Sequence, residues 1–117
     1  MKNYILLVII AIFLISCKET KSELIVGKWE ENLPEYSLSP DIWTFYKDGT
    51  GTIEYGSNNP ENIKVDNITY KLIHDEKEVE IISRNSSPYD YPISHLDKKI
   101  LEIDLNGLAI SFHKIGH

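Results

Sequence analysis

Apolar and polar residues alternate in short runs from Gly27 to the end of the chain. In Ile42–Lys47, Trp43 and Phe45 fall on one face, with Thr44 and Tyr46 on the other. In Gly51–Tyr55, Ile53 and Tyr55 share a face opposite Thr52 and Glu54. Ile68, Tyr70 and Leu72 repeat the pattern in Ile68–Ile73, as do Val79 and Ile81 in Glu78–Ile82. This period of two is the signal of a half-buried strand. Gly27–Glu31, Tyr91–Leu96, Ile100–Leu105 and Leu108–Ile115 complete a predicted set of eight strands. Asn106-Gly107 joins the last two as a tight hairpin, and Lys47-Asp48-Gly49 makes a similar turn. Asp75-Glu76-Lys77 and Asp97-Lys98-Lys99 are polar turns. No amphipathic helix is predicted after residue 16. An all-β, eight-stranded antiparallel up-and-down chain removes its edges by closing into a β-barrel. A small sandwich is the alternative.

The first residues follow another logic. Lys2 precedes an apolar run from Tyr4 to Ile15, and Leu14-Ile15-Ser16-Cys17 ends it. A run of about 12 residues is too short to span roughly 30 Å of hydrocarbon. A basic start, a short apolar stretch and a small residue before the cut are signal-peptide features. The tetrapeptide resembles the lipobox of bacterial lipoproteins. That resemblance implies cleavage between Ser16 and Cys17 and lipidation of Cys17, the only cysteine in the chain. Several acyl chains anchor stably where one does not. Lys18 follows the cysteine, and no aspartate is there to retain the protein in an inner membrane, so the outer membrane of the cell envelope is expected. The expected organisation is residues 1–16 as signal peptide, 17–26 as lipidated cysteine and tether, and 27–117 as the barrel domain. Lys18–Glu23 is charged and aperiodic and is predicted to be slack.

Cleavage would remove one base, Lys2, and none of the 18 acids. An acidic domain of about 100 residues without a disulfide relies on sheet packing alone, and has little affinity for nucleic acid. Within it, Gly27-Lys28-Trp29 and Trp43-Thr44-Phe45-Tyr46-Lys47-Asp48-Gly49-Thr50-Gly51 stand out. Together they resemble the lipocalin-like domains of small bacterial lipoproteins, especially of Bacteroidota, over roughly residues 24–117. The resemblance implies a lipocalin-like barrel with Trp29 plugging one end. Lipocalins of the classical group place an arginine near the last strand, over that tryptophan. Here the only arginine is Arg84, in a loop, and Lys114 is the nearest cation on the last strand.

A meander puts alternate connections at opposite ends. The short turns 48–50, 74–77 and 97–99 share the end where the first strand begins. The long connections Asn32–Asp41, Gly56–Asn67 and Ser83–Asp90 share the other, with Asn106-Gly107. All five prolines lie in or beside the long connections, with Tyr36, Tyr55, Tyr89 and Tyr91. Tyrosine-rich, proline-stiffened loops suit binding. Trp43, Phe45, Tyr55, Tyr70, Leu72, Ile81, Ile103 and Phe112 are predicted to line the interior.

No nucleophile elbow, phosphate loop or dinucleotide fingerprint is present. His74, His95, His113 and His117 have no metal-ligand spacing, although His95 and His113 are placed to meet across the wall. No catalytic residue, metal or cofactor is expected. The leading expectation is a membrane-anchored, non-enzymatic lipoprotein that binds a small apolar ligand in or at the barrel mouth. The alternative is an envelope module, of inhibitor or immunity type, that docks a protein partner through its long loops. A continuous cavity of about 300 Å³ or more would favour the first, and a packed interior the second.

Overall fold

A computed structural model describes residues 19–33, 39–56, 63–84 and 86–116. Ser16, Cys17 and Tyr36, and with them the predicted cleavage and lipidation site, lie outside these residues. The eight strands are β1 (Gly27–Glu31), β2 (Ile42–Phe45), β3 (Thr50–Tyr55), β4 (Lys64–Ile73), β5 (Glu78–Ser83), β6 (Tyr89–Leu96), β7 (Ile100–Leu105) and β8 (Leu108–Ile115). Each pairs antiparallel with the next, and β8 pairs with β1, so the sheet closes into a barrel. The sandwich alternative is thereby excluded. β7 and β8 have the predicted bounds. β4 starts four residues earlier than the alternation predicts, which moves Lys64–Asn67 from a loop into the sheet.

One face of each strand is apolar, and these faces meet inside. Ile53, Ile68, Val79, Leu101 and Ile103 are buried there with the aromatic rings. Trp43 packs at 4.9 Å on Phe112, at 5.4 Å on Tyr91 and at 6.3 Å on Phe45. Phe45 packs at 4.7 Å on Tyr70. These rings form a column along the barrel, and an eight-stranded interior is just wide enough to be filled this way. Tyr70 ends the column by donating to Tyr46 O at 2.6 Å.

The end where β1 begins, called the near end below, is closed by Trp29. Its side chain is wholly buried, and Nε1–H donates to Ile25 O at 2.9 Å. Ile25 is itself a core residue. It follows a one-turn helix, α1 (Lys21–Leu24), capped by the Thr20 hydroxyl, which accepts from Glu23 N. The predicted slack of Lys18–Glu23 therefore does not extend to this turn. Lys114 Nζ lies 5.2 Å from the Trp29 ring centroid and 3.4 Å from Leu24 O. It holds the place over the tryptophan that the resemblance reserves for arginine, through a cation–π contact. Gly27 permits this: a Cβ there would stand 2.5 Å from Lys114 Cε.

The short turns at this end are polar. Asp97 accepts from the backbone N–H of Lys99 and Ile100, both at 2.7 Å, and contacts His95 Nε2 at 2.7 Å. The His95 contact, then the two backbone bonds, hold its carboxyl at about 2, below the usual 3.8. A carboxylate depressed in the folded state stabilises fully above its unfolded pKa and loses that contribution as pH falls through the folded one. The thermal midpoint is therefore expected to drop between about pH 4 and pH 2. Asp97→Asn is expected to lie lower at neutral pH and to flatten that part of the profile, as melting curves across the acid range would read. His95 and His113 do not meet. His95 turns to Asp97, whereas His113 faces Glu30 at 3.4 Å and bonds Asn32. β6 and β8 are separated by β7, which keeps the two rings apart.

Candidate functional site

The other end, the far end, is built differently. Alternation carries the inward register up to the rim. Trp29 points inward, so Glu31 does too. Ile68 points inward, so Asp66 does too, opposite Ile53. Tyr89 and Tyr91 stand inward opposite Ile81 and Val79. Leu105 and Leu108 end the inward faces of β7 and β8 as a pair.

These positions form a mouth with two kinds of wall. Tyr89 and Tyr91 pack ring on ring at 4.5 Å, and Tyr91 rests on Trp43, which is the floor. Tyr89 is 40% exposed and donates to Asn106 Oδ1 at 3.3 Å. Leu108 is 66% exposed on the apolar side. On the opposite side Tyr55, 41% exposed, donates to Asp66 Oδ2 at 3.1 Å. Asp41 accepts from Gly56 N at 2.7 Å, and Glu31 Oε1 accepts from Asp41 N at 3.3 Å.

The electrostatics follow the geometry. Burial raises the Glu31 carboxyl above its ordinary pKa; the bond from Asp41 N opposes this, and the Asp41 charge adds to it. Burial, then the Asp66 carboxylate, raises the Tyr55 phenol, with Tyr91 and Asp41 adding to the shift. Burial also raises Tyr91. Among the described residues no lysine or arginine forms an ion pair with Glu31, Asp41 or Asp66. The indole N–H of Trp43, 7% exposed, has no hydrogen-bond partner there either. Asp104 Oδ1 is also buried without a partner, on the outer register of β7.

Of the residues predicted to bind, Trp43, Tyr55, Tyr89 and Tyr91 meet at this mouth. Phe45 lies deeper, against Tyr70. Tyr36 lies outside the described residues. Tyr55, predicted to line the interior, stands at the rim instead. Glu31, Asp41, Asp66 and Leu108 were not singled out by the sequence. Among the described residues no group of His, Cys, Asp or Glu is arranged to hold a metal ion.

Grooves also mark the outside. One of about 480 Å³ crosses the outer face of β3 to β5 and includes Tyr46, Thr52, Asn67, Ile82 and Arg84. Another, of about 230 Å³, includes Glu30, Pro40, Ile42 and Glu54.

No protein-family model matches the sequence, and no curated protein does. Solved structures do. A lipocalin-like protein from Bacteroides uniformis matches with a TM-score of 0.60 at 15% identity, over 78% of this chain and 98% of that one. The fold is that of a lipocalin-like barrel. An uncharacterized protein from Bacteroides eggerthii matches with a TM-score of 0.58 at 18% identity, over 78% of this chain and 99% of that one. The lipocalin-like barrel accounts for the order of the elements: a turn of helix, the Trp29 plug, then a meander whose last strand returns to the first. Its far mouth is the open end of that arrangement.

Proposed function

We propose that this protein is a membrane-tethered, non-enzymatic binding lipoprotein that takes a small ligand with an apolar body at the far mouth of its barrel. The lipid on Cys17 would hold the near end towards the envelope membrane, most simply the outer one, and leave the mouth facing away from it. One observation carries the reading. The aromatic column fills the barrel up to Trp43, and above it Tyr55, Tyr89, Tyr91 and Leu108 remain inward-facing yet accessible. Apolar rings with a few placed polar groups are what small-ligand sites offer.

Native mass spectrometry of the full chain, extracted from its own envelope in mild detergent, tests this. The expected spectrum contains a reproducible extra mass of a few hundred daltons, lost in Tyr89→Ser/Tyr91→Ser while the fold persists. An extra mass that survives both substitutions would remove the mouth as the site. A clean ligand-free mass with a stoichiometric protein companion would favour the second reading, a docking module. The filled interior supports that reading.

A further inference from the structure

The sheet closes, yet part of β4 has an open side. β4 pairs with β3 from Lys64, opposite Tyr55, but with β5 only from Ile68, opposite Ser83. Lys64–Asn67, about 13 Å of strand at the usual rise, therefore stand beyond the end of β5. We propose that this edge pairs antiparallel with the same edge of a second copy of the chain, with Val65 opposite Val65 and Lys64 opposite Asp66.

Backbone direction identifies the open side. Tyr70 N–H donates to Gly49 O at 2.9 Å, on the side of β3. Successive residues of a strand direct their backbone groups to opposite sides. Lys64, Asp66 and Ile68 thus face β3, whereas Val65 and Asn67 face the side where β5 has ended. The chain turns after Ser83, whose hydroxyl meets that of Ser86. Among the described residues no backbone bond reaches Val65 or Asn67 from that side. An unpaired row of this kind is a template for another strand.

The side chains select the occupant. Ile63 and Val65 lie on the outer register, 49% and 51% exposed. Lys64 and Asp66 share the inner register. Asp66 Oδ2 accepts from Tyr55, and Oδ1 has no described partner. Lys64 forms no ion pair among the described residues. When two such edges run antiparallel about Val65, the two valines exchange both N–H···O bonds and cover each other on the outer face. Lys64 of each copy then falls opposite Asp66 of the other, in the closer, non-hydrogen-bonded type of pair. Opposite charges are favourable there and like charges are not. Sliding one copy by two residues, the smallest step that keeps the faces matched, sets Lys64 opposite Lys64 or Asp66 opposite Asp66. Charge therefore fixes the register. A lone lysine on an edge discourages pairing. Here the aspartate two residues on makes the edge complementary to itself.

The paired segment is short, so the association is weak and reversible. The strands run in opposite directions, so the near ends point apart and the far ends meet. Copies tethered through Cys17 would pair across facing membranes, and not side by side on one. The pairing stands whether or not the mouth takes a small ligand.

Sedimentation velocity of the full chain in maltoside micelles, over a concentration series, tests this. The parent is expected to carry two chains per particle at high concentration and one on dilution. Lys64→Glu and Asp66→Lys each set like charges opposite one another, and each alone should stay at one chain. An equimolar mixture of the two variants restores both opposite pairs and should recover two. Val65→Pro removes an N–H that faces the open edge and not β3, so circular dichroism should show the barrel intact while the dimer is lost. A parent that stays at one chain throughout would overturn the proposal. Two chains in either charge variant alone, or in folded Val65→Pro, would place the contact elsewhere and overturn it too. A mixture that stays at one chain would overturn the Lys64–Asp66 register.

Discussion

Trp29→Ala is expected to cost about 3–5 kcal/mol, the range for deleting a large buried aromatic side chain. A domain of this size holds only about 5–15 kcal/mol in total. The variant should therefore melt far below the parent or fail to fold, as urea titration followed by circular dichroism would show. The size of the effect comes from what the indole holds together. It plugs the near end of the barrel, donates to the Ile25 carbonyl, and gives Lys114 a ring to lie over. Removing it opens a cavity, leaves a buried carbonyl unpaired and frees a lysine close to the core. Trp29→Phe separates these terms. It keeps most of the ring and loses the bond to Ile25 O, so a cost of about 1–3 kcal/mol is expected, the price of one unsatisfied buried acceptor. If Trp29→Ala melted within a few degrees of the parent, the near end would not be a cooperative part of the barrel.

The architecture was legible because seven of the strands obey the period of two over most of their length, with turn residues between them. The parts that were not legible share a physical cause. In Lys64–Asn67 the apolar residue, Val65, is 51% exposed, and the acidic one, Asp66, points inward. The alternation is inverted there, and a reading based on hydrophobic burial stops at Ile68. Glu31 follows the same rule at the end of β1. Local rules fail where a structure serves something other than its own stability, and both failures border the mouth. α1 was missed for a different reason. Four residues are too few to show a helical period. The available sign was Thr20 followed three residues later by Glu23, the spacing of a capping box. Within one barrel Lys64 has no structural role that we can assign.

The two ends of the barrel are built differently. The near end has short turns, a plug, a cap, and Lys21, Lys98 and Lys114 engaged in internal contacts. The far end has long connections, hydrogen-bonded carboxylates and half-exposed tyrosines. A column of packed rings lies beneath these residues. The column also fixes the floor of the mouth, so its shape does not depend on the loops above it. A tether at the near end would then present the mouth to whatever passes the membrane surface.

That column depends on a residue with no side chain, which sets the second large effect. Gly51→Ala is expected to destabilise the barrel by about 1–3 kcal/mol or more, the cost of overpacking a filled core. A Cβ at this position would stand 2.2 Å from the carbonyl oxygen of Thr44 and 3.4 Å from Ile68 Cδ1. The first contact is with backbone, which cannot swing aside as a side chain can. The only relief is to spread β2 from β3. Gly51 pairs across the sheet with Phe45, and the empty inward position lets the Phe45 ring turn towards Tyr70. The final glycine of the Asp48-Gly49-Thr50-Gly51 motif therefore serves ring packing, whereas Gly49 serves the turn, with a φ of 91°. Gly107→Ala is the contrasting case. It meets nothing within 4 Å, and its cost is the left-handed backbone alone, at a φ of 84°. That cost is about 1–2 kcal/mol. Side by side in thermal melts, Gly51→Ala should be the more damaging and should also alter the near-ultraviolet signal of Phe45, Tyr70 and Trp43. Gly107→Ala should leave that signal intact. An unchanged aromatic signal in Gly51→Ala would mean that β2 and β3 can separate without disturbing the column, and that the floor of the mouth is not set from below.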